Sequence, residues 1–574
     1  MSYLPLIDLC KQYFRINAGD SDADITRKVH RGLEAVGAEP EATAPYLLHL
    51  LAADVDGGIP AAMPPEVVKR RTFEALRLLV LQSTTRRPLV IVFEDLHWVD
   101  KTTAEFATFL MEYIAGTRAM LVCTYRPEFV STWSRKSYHS VITLTRLAPR
   151  ESQQMLTFLL GTDQVQDELT TLMLEKAEGV PFFLEELAKS LQETDAIEMH
   201  QGQWRLKAET TALQVPDTVE ELLMARIDRL PEGARSILQI GAVIGREFRW
   251  ELLKEIAGLA DQELMADRTT LTDAELIYER GLPPQTTCLF KHAFTQEAAY
   301  RSLLTTRRRD LHRRTALVLE TLFSDRLEEH YGLLAHHYRA AEDLEKALDY
   351  HCRAAHACQR VYAVEEALEH YTRALEATTA LRVEPTGGLS SGLHLQRGMV
   401  YAQTGAIAQA QHDFEAALEE ARAAGNRADE VQALNELGFL LAGAADYRVA
   451  IPLFEAALPI AAALDDKASQ VSILSRMSIV YTNRLQFAQA LEHGYRALTL
   501  ARTLEDTRAL ALAMDSLEVA TAMIGDFATI DAIWGGMGGS RGVGELLSSH
   551  QAPWGGRGSP GSGQSHHRAI VHRL

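Results

Sequence analysis

The 574-residue chain contains no Gly-Lys dipeptide. That absence excludes the ordinary triphosphate loop, whose glycine-rich backbone N–H groups cradle phosphate before a Gly-Lys-[Ser/Thr] ending. Cysteine is scarce too. Cys10, Cys123, Cys288, Cys352 and Cys358 are all there is, which excludes a disulfide framework and fits a reducing compartment. Basic residues are in deficit, 58 Lys plus Arg against 77 Asp plus Glu, a net charge of -19. Such a surface repels phosphate, so a nucleic-acid-wrapping or membrane-surface protein is excluded. No apolar run approaches membrane length, and the opening MSYLPLIDLCKQYF lacks a basic region followed by an apolar one. The expectation is a cytoplasmic protein with no membrane partner.

What is present is ordinary globular material: 47% hydrophobic and 24% charged residues, long enough for several cores. EVVKRRTFEALRLLVLQST (66–84) has helical spacing and is broken by TTRRP. LVIVF (89–93) is a continuous apolar run, expected to be a strand covered on both faces of a parallel sheet. Asp100 is placed to cap a helix with an apolar face of Phe106, Phe109, Leu110, Tyr113 and Ile114, and AMLVCTYRP (119–127) repeats the strand pattern. Strand, helix, strand makes a βαβ unit, with function at the strands' C-terminal ends. Glu94, Asp95 and Arg126 fall there. Two adjacent carboxylates are costly to desolvate unless a cation compensates them, so the pair predicts a nearby metal; helix caps and solvated turns collect the same residues.

Helical patterns then cover 150–160, 165–178 and 182–193, with a hairpin expected at IEMHQGQWRLK (197–207) and a compact, mostly helical domain over 215–320. In RRRDLHRR (307–314) the basic residues spread around a helix, predicting a solvated or interdomain face and making DNA binding unlikely. HCRAAHAC (351–358) has metal-like spacing, but its alanine-rich helical setting reads as buried, inert cysteines. From 325 the chain is helical and alanine-rich. Ile407, Tyr447, Phe487 and Phe527 are 40 residues apart, as are Ala410, Ala450 and Ala490, Ala417, Ala457 and Ala497, Leu418, Leu458 and Leu498, and Ala421, Ala461 and Ala501. Five columns in register predict stacked helix pairs, a solenoid with a concave binding surface for a protein partner or small ligand. After residue 533 glycine, serine and histidine dominate, predicting disorder and a cut-short second helix of the fourth repeat.

RPLVIVFEDLHWVD, LVCTYRPEF and AEGVPFFLEELAKSL together resemble the STAND branch of AAA-type ATPases, in particular bacterial modules joined to nucleotide-cyclase, protein-kinase or LuxR-type regulators and ending in tetratricopeptide arrays. The likeness extends to about residue 530. It implies ATP or ADP with Mg²⁺ as cofactor. In that pattern Glu94 takes the metal-associated Walker B position and Asp95 the catalytic one. Arg126 matches the sensor arginine that reads the γ-phosphate, Pro181 of Gly179-Val180-Pro181 packs near adenine, and His292 matches a nucleotide-touching histidine. Each has a plainer alternative: a solvated loop arginine, a proline opening a helix, a core histidine. His97 and Trp98 are expected to pack and orient the loop.

The implied fold class is α/β plus all-α. A partial P-loop NTPase parallel sheet (1–147) precedes a helical lid with hairpin (148–213) and a winged-helix-like domain (214–324). An α-solenoid of tetratricopeptide-like repeats (325–532) and a Gly/Ser-rich tail (533–574) follow. The resemblance places the missing phosphate loop upstream of YLPLIDLCKQYF, so the chain is expected to begin after it; GLEAVGAEPEAT (32–43) offers no lysine as a substitute. Losing that cradle removes several charge-assisted hydrogen bonds of about 1.5–3 kcal/mol each, which predicts millimolar or weaker nucleotide affinity. The implied function is a signal-transduction ATPase-type regulator, a fragment with weak or no ATP binding; the alternative is a non-catalytic scaffold acting through the repeats. No cyclase, kinase or LuxR-type motif occurs, so any fused or separate output domain lies outside this chain.

Overall fold

The computed structural model describes residues 3–17, 19–51, 63, 65–129, 133, 136–207, 216–280, 286–381, 389–504 and 506–526. The expectations for Phe527 and the 533–574 tail lie outside them. The described residues divide into two compact units, one from Met1–Trp133 with His351–Leu574, the other Ser134–Tyr350.

The first unit opens with helices α1 (Leu4–Phe14), α2 (Asp22–Val36), α3 (Pro40–Leu50) and α4 (Pro65–Arg86). Ser21 and Asp24 form a reciprocal capping box that starts α2, and Gly37, at φ 76°, closes it. GLEAVGAEPEAT is therefore a helix end and the next helix's start, not a phosphate loop. Strands β1 (Leu89–Phe93) and β2 (Ala119–Cys123) flank helix α5 (Lys101–Met111). They pair in parallel, Leu89 opposite Ala119 and Phe93 opposite Cys123. Asp100 caps α5, its carboxylate accepting from the Thr103 backbone N–H at 2.9 Å.

Covering of both strand faces is overturned. Phe93, Leu89, Ile91, Leu121 and Cys123 face a core that includes Leu76, Phe106 and Leu110. Val90, Val92 and Met120, on the other face, are 60%, 52% and 61% exposed. A single βαβ crossover places its helix on one side only, and two strands offer no second layer.

The second unit contains α6 (Pro149–Leu160), α7 (Asp167–Ala177) and α8 (Pro181–Glu193), then a hairpin of β3 (Ile197–His200) and β4 (Gln203–Leu206). Its two-residue turn, Gln201-Gly202, has both φ angles positive, as a twisted hairpin demands. Helices α9 (Val219–Arg229) and α10 (Glu232–Ile244) follow. Strand β5 (Glu247–Arg249) then leads to α11 (Trp250–Ala257), α12 (Asp261–Asp273), β6 (Ile277–Arg280) and β7 (Thr287–Phe290). The antiparallel sheet, ordered β5-β7-β6, escaped sequence reading because strands of three or four residues carry almost no periodicity. Helices α13 (Ala293–Arg301), α14 (Thr305–Leu322) and α15 (Tyr331–Ala340) complete the unit. Arg226, buried beneath α8, is ion-paired to Glu186 and Glu193.

Helix α16 (Leu344–Arg360) runs into the first unit's repeat array: α17 (Val364–Leu381), α18 (Leu389–Gln403), α19 (Ile407–Ala424), α20 (Arg427–Gly443), α21 (Tyr447–Ala463), α22 (Lys467–Asn483), α23 (Phe487–Ala501) and α24 (Thr507–Ile524). Ile407, Tyr447 and Phe487 each begin a helix. The three alanine columns are fully buried, so the helices approach at the spacing the repeat encodes. A further column was missed. A Cβ added to Gly398 or Gly438 would lie 2.7 Å from Phe414 or 2.9 Å from Phe454. These glycines are the seats of the following helices' aromatic knobs. The C-terminal region is a helical-repeat solenoid.

The chain's start is fastened to the start of this array. Tyr3 Oη donates to the Val361 carbonyl at 3.3 Å, and the Thr102 amide at the head of α5 donates to Glu366 at 3.2 Å. Lys101 pairs with Glu365 at 2.8 Å.

Candidate functional site

Two candidate sites lie in the first unit: the rim where β1 and β2 end, and the first-helix face of the solenoid.

At the rim the backbone breaks sharply after β1. Asp95 adopts a left-handed conformation, φ 54° and ψ 45°, which aspartate tolerates. Its N–H donates to Thr124 Oγ1 at 2.9 Å, while Leu96 N–H donates to the Thr124 carbonyl at 2.9 Å. Thr124, on which sequence reading laid no weight, thus ties the acid loop to the end of β2. Arg126 leaves the same end of the strand pair, its guanidinium 5.2 Å from the ring of Trp98. Trp98 is therefore a platform for Arg126 and not only packing. His97 has both ring nitrogens buried without a hydrogen-bond partner.

Glu94 is exposed and Asp95 half-buried. The premise that the pair is desolvated does not hold, because water reaches Glu94 and no cation is needed to keep the acids apart. For MgATP the fit is incomplete. Glu94 and Asp95 offer carboxylate oxygens and Arg126 a guanidinium, the donors that a magnesium ion and a phosphate take. No glycine-rich loop with a lysine accompanies them among the described residues, so no chemical step is derived through a nucleotide.

Pro181 and His292 lie in the second unit. Pro181 is the first residue of α8, where a fixed φ and a missing N–H are favourable. Gly179 has a structural duty: at φ 72°, with Leu147 N–H donating to its carbonyl at 2.8 Å, an added Cβ would strike the Leu147 backbone. His292 precedes α13, and its ring lies 3.9 Å from that of Phe182. Burial lowers its pKa, Lys291 adds to this, and Nε2 has no hydrogen-bond partner. Pro181 and His292 are thus neighbours through Phe182. Beside them Lys291 bridges Glu185 and Glu275 at 2.6 and 2.8 Å.

The basic run on α14 is not a free surface. Arg314 donates to the Ile256 carbonyl at 2.5 Å, Arg309 pairs with Glu342, and His312 is buried. Of the HCRAAHAC cysteines Cys358 is buried and Cys352 half-buried, and neither is in a disulfide. His351 contacts His370, Nδ1 to Nδ1, at 2.9 Å.

The second site is built by repetition. Helices α18, α20, α22 and α24 pack side by side. Met399, Phe439, Ile479 and Val519 sit 40 residues apart on them. Phe439 is 46% exposed and the other three half-buried. Arg476 stacks 4.3 Å from the Phe439 ring and pairs with Glu436 at 3.0 Å. Asn435 donates to Ser472 Oγ at 3.0 Å, yet its Oδ1 is buried with no protein partner. An apolar stripe of this kind can hold the side chains of an extended chain. The period of 40 that runs through the alanine and leucine columns runs through this one too, and is the signal that marks it in the sequence.

Among known families, residues 149–205 match a domain of unknown function (DUF8739). An uncharacterized protein of Rhizobium meliloti, R02095, is 25% identical over 318 residues, 54% of this chain and 30% of that protein. Adenylate cyclase type 10 of Rattus norvegicus is 20% identical over 283 residues, 42% of this chain and 18% of the cyclase. The chain thus spans less than a third of the length of either curated relative. Among solved structures, a STAND protein with a tetratricopeptide repeat sensor from Pyrococcus horikoshii aligns over 93% of this chain and 83% of its own, at 13% identity and a TM-score of 0.33. No helix among the described residues is long and apolar enough to cross a membrane.

Proposed function

We propose that this chain is the sensor portion of a signal-transduction regulator, whose solenoid binds an extended peptide segment across α18, α20, α22 and α24. The observation that carries the reading is the Met399–Phe439–Ile479–Val519 stripe, in which Phe439 is 46% exposed. The rim of β1 and β2 belongs in this reading to a STAND-type nucleotide switch. Glu94 is the metal-side acid, Asp95 the catalytic acid and Arg126 the sensor; in the second unit the same resemblance assigns Pro181 an adenine contact and His292 a nucleotide contact. The matched segment of adenylate cyclase type 10 is in keeping with such a module working beside an output domain.

The test is selection of peptides from a displayed library on the immobilised chain. Enriched peptides are expected to lose at least tenfold in affinity for Phe439→Ala and Ile479→Ala, about 1.4 kcal/mol each. They should keep their affinity for Tyr495→Ala, an exposed position on the second-helix side. Peptides indifferent to both groove substitutions overturn the groove.

The exposure of Glu94 favours a second reading, a scaffold with no nucleotide chemistry. Calorimetric titration with MgATP into the millimolar range separates the two: weak binding lost in Arg126→Ala supports the switch, and no binding at millimolar nucleotide leaves the scaffold.

A further inference from the structure

His312 on α14 and His336 and His337 on α15 bring one ring nitrogen each to within 4.8 Å of one another. Their ring centroids form a nearly equilateral triangle: 5.7 Å from His312 to His336, 5.1 Å from His312 to His337, and 5.4 Å from His336 to His337. Three imidazoles bound to one ion at about 2.0–2.1 Å place their ring centres roughly 5–5.5 Å apart. We propose that these three histidines form a transition-metal site, of the class that takes Zn²⁺, at the junction of α14 and α15.

The surroundings suit a metal. His312 Nε2 lies 2.9 Å from the Tyr300 hydroxyl, a partner that leaves Nδ1 for the metal and fixes the ring. His312 Nδ1 and His337 Nδ1 are 2.8 Å apart and share one hydrogen bond. An ion entering between them opens this gap by roughly a few tenths of an ångström at zinc–nitrogen distances. His312 and His337 are buried while His336 is exposed, so a path to solvent exists without unfolding the helices. Burial keeps His312 neutral, pushing its pKa down to about 4 with His336 and Arg308 contributing, and lowers His337 for the same first reason. Neutral imidazole is the ligating form. The grouped ligands are all imidazoles, which selects Zn²⁺, Cu²⁺ or Ni²⁺ over Mg²⁺ or Ca²⁺. The nearby positive charges of Arg308 and Arg339 further disfavour a cation held only electrostatically.

The site can be tested on the full chain, stripped with a chelator and titrated with Co²⁺. One equivalent should develop the visible bands of four- or five-coordinate cobalt, displaced by Zn²⁺, and Zn²⁺ should raise the thermal midpoint. Because His336 is exposed, His336→Ala should leave the metal-free midpoint unchanged while weakening binding by more than about 100-fold, beyond the cost of an outer-shell partner. Tyr300→Phe, which removes that outer partner, should weaken it by about 10–100-fold. The chain has 20 histidines, so cobalt bound as tightly by His336→Ala reports other residues and overturns the site. Absence of the visible bands in the parent chain also overturns it.

Discussion

The solenoid and the β1–β2 pair cover their apolar residues differently: the seams between repeat helices are closed, and the strand pair is half open. In the repeats the seams between successive helices are closed by the same rule, and alanines at all three positions of each column are fully buried. In the strand pair one face meets α5 and the core, and the other presents Val90, Val92 and Met120 to solvent. Repetition supplies its own cover. A sheet needs further strands or helices from elsewhere in the sequence or from another molecule.

This contrast can be broken most easily at Phe454, fully buried against the Gly438 seat. Phe454→Ala should cost the first unit about 3–5 kcal/mol, read as a lowered denaturation midpoint. Filling the seat instead, with Gly438→Ala, should cost about 1–3 kcal/mol through overpacking. Phe454→Leu introduced with it should recover part of that loss. A loss below 1 kcal/mol for either single change would mean that the repeats are not closely seated.

Acid sharpens the contrast on a smaller scale. Burial alone raises the pKa of Asp413, but Arg397, at 2.7 Å, and His394, at 3.0 Å, outweigh it and hold the carboxyl below its usual value. The stability contributed is fully present above the ordinary carboxylate pKa. It is lost as pH falls from there through the lowered one. The solenoid's midpoint should therefore drop with acid, and Asp413→Asn should flatten that profile. The smallest effect belongs to the open face. Val92→Lys should change stability by less than about 0.5 kcal/mol, because nothing covers that side chain. It should also reduce self-association measured by light scattering; a large destabilisation would show the face to be covered in solution.

The repeats were legible because five columns share one period, and the strand, acid pair and second strand because each carries a local signature. Covering was not legible. LVIVF reads as doubly buried, and no residue within it records that its second layer is absent. Nor does the local sequence disclose that Glu94 is solvated, that Trp98 supports Arg126, or that Thr124 holds Asp95. His312 and His337 are 25 positions apart and meet only through helix packing. RRRDLHRR reads as a solvated or interdomain face; Arg307 and Arg313 are exposed, but counting charges gave no sign that His312 among them is buried.

The Tyr3–Val361 hydrogen bond spans 358 positions of chain. A ribosome must therefore add some 358 residues after Tyr3 before α1 can find this support. Until then the nascent amino-terminal segment remains a partly finished surface, the kind of intermediate on which chaperones act.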